Sequence, residues 1–168
     1  MFILYPHYKF KRIDQIPANF FVEKGITTLL LDVDNTLTGD NDPNPIIEIL
    51  DWIESQRLAG IRLMIISNNY EKRVAPFAKA LDMEYIADAK KPKPDGLRAA
   101  LQKFGVSVNE TALIGDQLFT DILCARLAGC MAILVEPMKI EDYGFYRVKR
   151  RMEKPVLSAY ERKRRRRG

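Results

Sequence analysis

Two aspartates separated by a single residue stand directly after a short apolar run near the start of the sequence. Asp32 and Asp34 follow residues 26–31, which are mostly aliphatic, and Thr36 comes two positions later. Carboxylates at this spacing can converge on one small site, where they bind Mg²⁺ while one attacks a substrate and the other transfers protons. An isolated pair of this kind is more often a polar loop, but its place after a predicted buried strand favours chemistry.

Hydroxyl, amide and ammonium groups suited to a phosphate occur further along the chain. Ser67 and Asn68 follow an apolar run, and a hydroxyl with neighbouring N–H groups can hold a phosphate oxygen. Lys90, Lys91 and Lys93 stand in a stretch stiffened by two prolines, where one ammonium group could neutralise phosphate charge. Taken alone, the first group is equally an ordinary helix cap and the second an ordinary solvated loop, so both interpretations stay open at this point.

A second acidic pair follows another apolar run. Gly115 permits a sharp exit from residues 111–114, Asp116 then stands at the tip of that predicted strand, and Asp121 follows one helical turn later. Acidic side chains in these places complete an oxygen-rich Mg²⁺ site, with Asp121 supporting Asp116. Each signal is modest alone, but four such groups in order at four strand ends predict one shared site.

Short apolar runs alternate with helical patterns along the chain. The runs are residues 26–31, 61–66, 111–114 and 131–135, with a weaker one at 84–87. The helical patterns cover residues 45–58, 74–81, 96–104 and 119–128. Because each run is continuously apolar, we expect strands covered on both faces, and the alternation predicts a three-layer α/β fold around a parallel sheet. Such sheets bind ligands at the carboxyl ends of their strands, where the polar groups described above stand.

Together these four groups resemble the motifs of the haloacid dehalogenase (HAD) superfamily of aspartyl-nucleophile phosphatases. The motifs read DVDNT at 32–36, Ser67, a Lys within KKPKP at 90–94, and GDQLFTD at 115–121. Their short spacings, and the downstream VEPM followed by a basic segment, are similar to the YqeG-type subgroup of subfamily IIIA. The resemblance implies a three-layer, Rossmann-like parallel sheet of the HAD type and a Mg²⁺-dependent phosphatase activity.

The resemblance implies a role for each matched residue. Asp32 would be the nucleophile that forms an aspartyl-phosphate, and Asp34 the general acid for the leaving group and then the base for water. Lys91, in preference to Lys93, would pair with Asp32 and the phosphate. The implied sets are Asp32 and Asp34 for catalysis; Asp32, Asp34 and Asp116 for the metal; Ser67, Asn68 and Lys91 for phosphate binding; and Thr36, Gly115 and Asp121 for support.

The spacing of the motifs leaves no room for an inserted cap domain. Thirty residues separate Thr36 from Ser67, and residues 68–90 hold only one predicted helix and one short strand. A site without a cap stays open, so it takes a lid from another subunit or a large substrate: a protein, a nucleic acid end or a lipid head group. The subgroup resemblance implies a lipid phosphate, phosphatidylglycerophosphate. A soluble phosphomonoester or a phosphoprotein is the alternative.

Charge divides the 168 residues into a mildly acidic part and a basic end. The chain has 27 Lys and Arg against 22 Asp and Glu, a net charge of +5; residues from Arg147 onward carry +9 and the preceding ones −4. The unbroken basic run from Arg162 to Arg167 predicts a solvated, disordered end. Contact of this run with a polyanion such as RNA, the ribosome or an anionic lipid surface is equally compatible with its charge.

The length predicts one domain with a substantial core. We expect an N-terminal extension at 1–25, a HAD-like core at 26–146 and a basic C-terminal segment at 147–168. Residues 1–12 mix aliphatic, aromatic and basic side chains, which is typical of an interfacial anchor and also of a segment packed on the domain. The apolar runs are too short to cross a bilayer and the two Cys form no CxxC pair, so we expect a cytoplasmic protein, peripheral to a membrane if its substrate is a lipid.

Three other functions are weighed against the phosphatase hypothesis. A Cys-based phosphatase needs an Arg six positions after its Cys, but Cys130 follows Cys124 at that distance and Glu136 follows Cys130. A phosphoacceptor switch of the response-regulator kind also uses carboxylates and a Lys, but the second aspartate of DVD favours rapid dephosphorylation. A HAD-fold binding module that docks on RNA or the ribosome through the basic end stays open.

Overall fold

The computed structural model describes residues 2–39, 46–138 and 144–166. Its strands are β1 (Tyr8–Phe10), β2 (Thr28–Leu31), β3 (Arg62–Ile66), β4 (Glu84–Ile86), β5 (Thr111–Gly115) and β6 (Met131–Val135). They form one sheet in the order β1-β6-β5-β2-β3-β4, and every neighbouring pair is parallel. The predicted α/β fold with a parallel sheet is confirmed.

Helices cover both faces of this sheet. They are α1 (Ala18–Val22), α2 (Ile47–Leu58), α3 (Glu71–Ala80), α4 (Asp95–Phe104), α5 (Leu123–Ala128) and α6 (Gly144–Arg165). One core contains buried side chains of α1, α2 and α3, among them Phe21 and Trp52. The other contains those of α4 and α5, among them Leu97 and Cys124, with Leu157 of α6 packed against it. The sheet is therefore the middle of three layers.

The predicted helices are present with shifted bounds. Helix α2 begins at Ile47, and the expected first residue, Pro45, lies outside the described residues. The helix predicted at 119–128 divides into a π-helical turn, Leu118–Ile122, and the short helix α5. Between β2 and Lys91, the described residues hold α2, β3, α3 and β4 and no inserted domain. The face above the strand ends is therefore uncovered by a cap within the described chain.

Strand β1 lies in the segment that the sequence analysis assigns to an N-terminal extension. Tyr8, Lys9 and Phe10 pair in register with Ile133, Leu134 and Val135 of β6. The segment thus contains an edge strand of the sheet, although the expected boundary between the extension and the core lies at residue 26. The interpretation of residues 1–12 as a segment packed on the domain is the one that fits. Three residues at an edge are too few to produce a recognisable apolar run.

Helix α6 occupies most of the basic segment for which the sequence predicts a disordered end. It runs from Gly144 to Arg165, and Arg167 lies outside the described residues. Val156 and Leu157 pack against the core and Tyr160 is buried, so this helix has an apolar side that docks on the domain. Packing stabilises the helix despite its many like charges. Of the helices that the structure describes, none is long and apolar enough to cross a membrane.

The sheet places its switch point between β2 and β5. From β2 the chain continues outward through β3 and β4, then returns to β5 on the other side of β2 and continues through β6. The loops after β2 and β5 therefore diverge and leave a crevice at the carboxyl ends of the strands, where parallel sheets bind ligands. Asp32 and Asp116 stand in these two loops.

Candidate active site

The loop after β2 is a tight coil that holds the first two aspartates. The carbonyl oxygen of Val33 accepts hydrogen bonds from the backbone N–H groups of Thr36, Leu37 and Thr38, at 3.2, 2.9 and 3.3 Å. Asn35 has a φ of 61°, a left-handed conformation that Asn tolerates better than most residues. The Thr36 hydroxyl is buried and, among the described groups, has no hydrogen-bond partner. Thr36 thus lies inside the coil, where the sequence analysis places a supporting residue.

Lys91 is the lysine of the KKPKP stretch that enters the site. Its Nζ donates hydrogen bonds to Asp32 Oδ1 at 2.7 Å, to Asp121 Oδ1 at 2.6 Å and to the Ile66 carbonyl oxygen at 2.9 Å. The Lys91 side chain is 2% exposed, whereas Lys90 and Lys93 are exposed. The ammonium group therefore joins the ends of three strands: β2 through Asp32, β3 through Ile66 and the loop after β5 through Asp121.

The side chain of Asn68, a residue predicted to bind phosphate, contacts the backbone of Lys91. Its side-chain N–H donates to the Lys91 carbonyl oxygen at 2.8 Å, and its Oδ1 accepts the Lys91 backbone N–H at 2.7 Å. Both ends of the amide are engaged with the backbone of Lys91, so the side chain holds Lys91 in place. Ser67 is buried, and its Oγ accepts the Asn69 backbone N–H at 3.1 Å, which leaves the hydroxyl proton for another acceptor.

Asp34 is held by two residues that the sequence analysis does not single out. Asn69 Nδ2 donates to Asp34 Oδ2 at 2.6 Å, and Arg73 Nη2 donates to Asp34 Oδ1 at 3.0 Å. Asn69 belongs to the loop after β3 and Arg73 to the first turn of α3. No sequence signal identifies Arg73, because its link to Asp34 spans 39 positions. The SNN sequence could have pointed to Asn69, since its amide follows the same strand end as Ser67.

Gly115 and the π-helical turn place Asp121 beneath the site. Asp121 is 1% exposed, and its Oδ2 accepts the Gln117 backbone N–H at 3.1 Å. A Cβ atom at position 115 would lie 2.6 Å from Asp121 Oδ2, which is far inside van der Waals contact. Only glycine at 115 therefore lets the Asp121 carboxylate come this close to the end of β5. The π-helical geometry, common at functional sites, turns Asp121 back toward that strand.

Helix α6 contributes three further side chains next to Asp116. Arg150 Nη1 donates to the Asp116 carbonyl oxygen at 2.7 Å, and Arg150 Nη2 contacts Asp116 Oδ2. Glu153 accepts the Leu118 backbone N–H, and Lys149 contacts the Gln117 side chain. Sequence reasoning missed all three, because a strongly basic segment 34 positions from Asp116 carries no motif that links it to the site.

The acidic residues are arranged as a cation site. Asp32, Asp116 and Asp121 each offer a carboxylate oxygen, and these oxygens lie within 4.8 Å of one another. Asp116 Oδ1 is buried and has no hydrogen-bond partner among the described groups. Three buried carboxylates with one unpartnered oxygen form the kind of donor set that hard cations such as Mg²⁺ prefer. The resemblance implies that Asp34 binds the metal through its backbone carbonyl oxygen, and its side chain contacts Asn69 and Arg73.

Burial dominates the electrostatics of this cluster. It raises the pKa of Asp32 to about 7, an effect that Lys91 opposes and the neighbouring carboxylates of Asp121 and Asp34 reinforce. Burial also raises the pKa of Asp116 well above its ordinary value, against the opposing effect of Arg150. For Lys91, burial disfavours the ammonium ion, but the two carboxylates outweigh it and raise its pKa. The cluster therefore favours the uptake of further positive charge.

Comparison with protein families and characterised sequences gives a consistent result. Residues 2–138 match the family described as mitochondrial PGP phosphatase. The chain is 33% identical over 153 residues to "Probable phosphatase YqeG" of Bacillus subtilis (strain 168), covering 91% of this chain and 89% of that protein. It is 29% identical over 169 residues to phosphatidylglycerophosphate phosphatase 1, chloroplastic/mitochondrial, of Arabidopsis thaliana, covering 94% of this chain and 48% of that protein.

Solved structures show the same fold at low identity. The cobalt-bound deoxy-D-mannose-octulosonate 8-phosphate phosphatase of Haemophilus influenzae aligns with a TM-score of 0.54 at 19% identity, covering 67% of this chain and 69% of that one. An uncharacterised protein of Listeria monocytogenes aligns with a TM-score of 0.58 at 16% identity, covering 70% and 85%. Both share the arrangement of strands and helices seen here.

Proposed function

Because the chain belongs to the mitochondrial PGP phosphatase family and is a HAD-type phosphatase, we propose that it hydrolyses a phosphomonoester through an aspartyl-phosphate on Asp32, with Mg²⁺ as cofactor. The position of Lys91 carries this proposal. Its ammonium group binds Asp32 and Asp121 together, while Asp116 presents an unpartnered carboxylate oxygen beside them. One carboxylate is thus held for attack in a buried place that is rich in groups able to bind cations.

The chemistry takes place in two steps. An oxygen of Asp32 bonds to phosphorus while the bond from phosphorus to the leaving oxygen breaks, and Asp34 gives that oxygen a proton. Water then attacks the same phosphorus, Asp34 takes the proton of the water, and inorganic phosphate leaves as Asp32 is restored. Lys91 and the Ser67 hydroxyl face the transferred group and stabilise its charge. Asp32, Asp116 and the Asp34 carbonyl would hold Mg²⁺, which would supply positive charge to neutralise the phosphoryl group.

Within this class we propose phosphatidylglycerophosphate, a lipid phosphate, as the substrate. The Arabidopsis relative carries that activity in its name. Two large apolar side chains are exposed at the site end of the sheet: Ile47 (71%) and Tyr70 (66%). Ile47 starts α2 and Tyr70 precedes α3, so both stand at the carboxyl edge of the sheet, which the basic helix α6 reaches through the contact of Arg150 with Asp116. Apolar side chains beside a basic helix suit the surface of an anionic bilayer.

Two exposed residues of α2 provide a matched test of the lipid substrate. Ile47 lies at the site end of the helix, whereas Leu58, 82% exposed, lies at its other end, before β3 begins. Phosphate release would be measured with Mg²⁺ from phosphatidylglycerophosphate in mixed micelles and from soluble glycerol 3-phosphate. We expect Ile47→Ser to raise KM for the lipid several-fold and leave the soluble ester unaffected, and Leu58→Ser to change neither.

Asp32→Asn provides the control for the chemistry. We expect this variant to lose phosphate release from every substrate while it still folds. Release from glycerol 3-phosphate alone would contradict the lipid substrate and keep the phosphatase mechanism. No Mg²⁺-dependent release from either compound, or full activity of Asp32→Asn, would contradict the aspartyl-phosphate mechanism. Binding of RNA without any phosphatase activity would favour the alternative of a HAD-fold binding module.

A further inference from the structure

Helix α6 holds three consecutive residues of the loop that follows β5. Asp116 is bound by Arg150, the Gln117 side chain by Lys149, and the Leu118 backbone N–H by Glu153. These contacts link residues that lie 32 to 35 positions apart. The family match ends at residue 138, before this helix begins at Gly144. The alignments with the two relatives cover 91% and 94% of the chain, so they extend into this helix.

The contact between Arg150 and Asp116 is specific in its geometry. One guanidinium nitrogen donates a hydrogen bond to the Asp116 backbone carbonyl oxygen at 2.7 Å, and the other contacts the carboxylate oxygen Oδ2. A planar fork that binds two acceptors of one residue fixes both its backbone and its side-chain direction. Because Oδ2 is engaged, Oδ1 is the Asp116 oxygen that stays buried without a partner among the described groups. The Asp116 carboxylate belongs to the cluster with Asp32 and Asp121.

Glu153 balances the charge of Arg150 on the side away from the cluster. It is 2% exposed, its Oε2 accepts Arg150 Nη1 at 3.0 Å, and its Oε1 accepts the Leu118 backbone N–H at 2.9 Å. The guanidinium therefore brings almost no net charge to the cluster, because a buried carboxylate accompanies it. Arg150 can orient Asp116 without taking the place of a bound cation.

We infer that Arg150 and Glu153 are positioning residues, through which α6 orients Asp116 so that its Oδ1 is presented to the divalent cation of the site. The inference rests on the proposed function only for the identity of that cation. Groups that orient a metal ligand from behind commonly change metal affinity or activity by about 10- to 100-fold when they are removed. The same structure would serve inhibition if Arg150 instead competed with the cation for Asp116, and the two roles have opposite consequences for affinity.

Titration of the full chain with Mg²⁺ in a calorimeter tests the inference without reference to activity. We expect Arg150→Gln to weaken Mg²⁺ binding by about 10-fold or more, because Asp116 loses both contacts. Arg150→Lys keeps the charge but lacks the fork, so we expect an affinity between those of Arg150→Gln and the natural sequence. Arg151→Gln is the matched control, because Arg151 is adjacent to Arg150 in the sequence but its side chain is exposed. This variant should bind Mg²⁺ normally.

Three outcomes would overturn the inference. Unchanged affinity in Arg150→Gln would show that α6 does not position the ligand, and tighter binding would show that Arg150 competes with the cation. Absence of Mg²⁺ binding in the natural sequence would also overturn it. Circular dichroism checks folding; if Arg150→Gln does not fold, Arg150→Lys carries the comparison. If the proposed phosphatase function is wrong, the natural sequence will bind Mg²⁺ normally but release no phosphate. The Mg²⁺ affinities of the variants would then still test whether Arg150 positions Asp116.

Discussion

The three lysines of the KKPKP stretch differ in what surrounds their ammonium groups. Lys91 is buried between two carboxylates and a carbonyl oxygen, whereas Lys90 lies in solvent, 3.8 Å from the exposed Asp88, and Lys93 is exposed. A charge removed from a buried, fully hydrogen-bonded position leaves its partners unpaired, while a surface charge contributes little. Lys90 and Lys93 are therefore matched controls for substitutions at Lys91.

We predict that Lys91→Met lowers phosphate release by about 100-fold or more, because a preorganised cation opposite the reacting group is lost. Its unfolding free energy should fall by about 3–5 kcal/mol, the usual cost of breaking a buried ion pair by removing one partner. Lys90→Met and Lys93→Met should keep both activity and stability. Urea unfolding and a phosphate-release assay give the two measurements; an active Lys91→Met would show that Lys91 has no part in the chemistry.

Gly115→Ala tests the close approach of Asp121 to the end of β5. The added methyl group would meet the Asp121 side chain at 2.6 Å, so the π-helical turn must move. We predict a loss of about 1–3 kcal/mol in unfolding free energy and a marked fall in activity. Gly144→Ala, where an added Cβ meets nothing within 4 Å, is the control and should be neutral. Equal stability of the two variants in urea unfolding would contradict the geometry.

The residues that follow apolar runs were predictable from the sequence, and the residues that hold them were not. Asp32, Asp116 and Lys91 stand at strand ends, and parallel strands bring such positions together whatever the details of the loops. Arg73 and Arg150 reach the site from helices, and they lie 39 and 34 positions from the aspartates that they contact. In the sequence, neither can be distinguished from an arginine on the surface. The position of Asn68 after β3 predicts phosphate binding, and only the structure shows that its side-chain amide contacts the Lys91 backbone.

At the scale of elements, the edge strand β1 depends on the side chain of the one histidine in the chain. His7 donates its backbone N–H to the Ala132 carbonyl at 2.8 Å, and its ring Nδ1 accepts the Ala132 backbone N–H at 2.8 Å. The ring thus extends the pairing of β1 with β6 by one hydrogen bond. Nδ1 can accept only while it carries no proton, so this contact belongs to the neutral imidazole.

Desolvation and the nearby Arg126 guanidinium lower the pKa of His7 below 6.5. Between that lowered pKa and 6.5, the unfolded chain binds a proton that the folded chain does not, so the contribution of His7 to stability falls as the pH falls. We predict that the natural sequence loses stability relative to His7→Asn as the pH drops from 7.5 to 5.5, measured by urea unfolding. An NMR titration of the single imidazole gives the pKa directly. A value above 6.5 would contradict the prediction.

Two elements escaped sequence-based prediction for physical reasons. Strand β1 has three residues at the edge of the sheet, so it lacks the apolar run that identifies the buried strands β2, β3, β5 and β6. Helix α6 does carry apolar residues at helical spacing, at Val156, Leu157 and Tyr160, but Pro155 and the surrounding arginines obscure the pattern. Its order arises from docking on the core, which local sequence does not show.

At the scale of the molecule, the site carries an excess of negative charge. Five carboxylates (Asp32, Asp34, Asp116, Asp121 and Glu153) form ion pairs with three cations (Lys91, Arg73 and Arg150). With every group ionised, two negative charges remain, which equals the charge of one divalent cation. Burial is the main cause of the high pKa of Asp32, and the neighbouring carboxylates raise it further.

We predict that Mg²⁺ raises the Tm of the protein. A ligand at 100 times its Kd stabilises the folded state by about 2.7 kcal/mol, which corresponds to a shift of roughly 5–10 °C for a domain of this size. Asp116→Asn should lose most of the shift, whereas Asp88→Asn, an exposed control, should retain it. An equal shift with NaCl at matched ionic strength would identify general screening and contradict a specific site.

The pairing of β1 with β6 sets an order of events during synthesis. Tyr8 pairs with Ile133, so β1 leaves the ribosome about 125 residues before its partner strand β6 has been made. At 5–20 residues per second this is roughly 6–25 s. Arg150 emerges later still, after every motif of the site has been made. A nascent chain thus holds all the aspartates of the site before the helix that contacts Asp116 is made, so we expect the proposed cation site to be complete only after α6 has been synthesised.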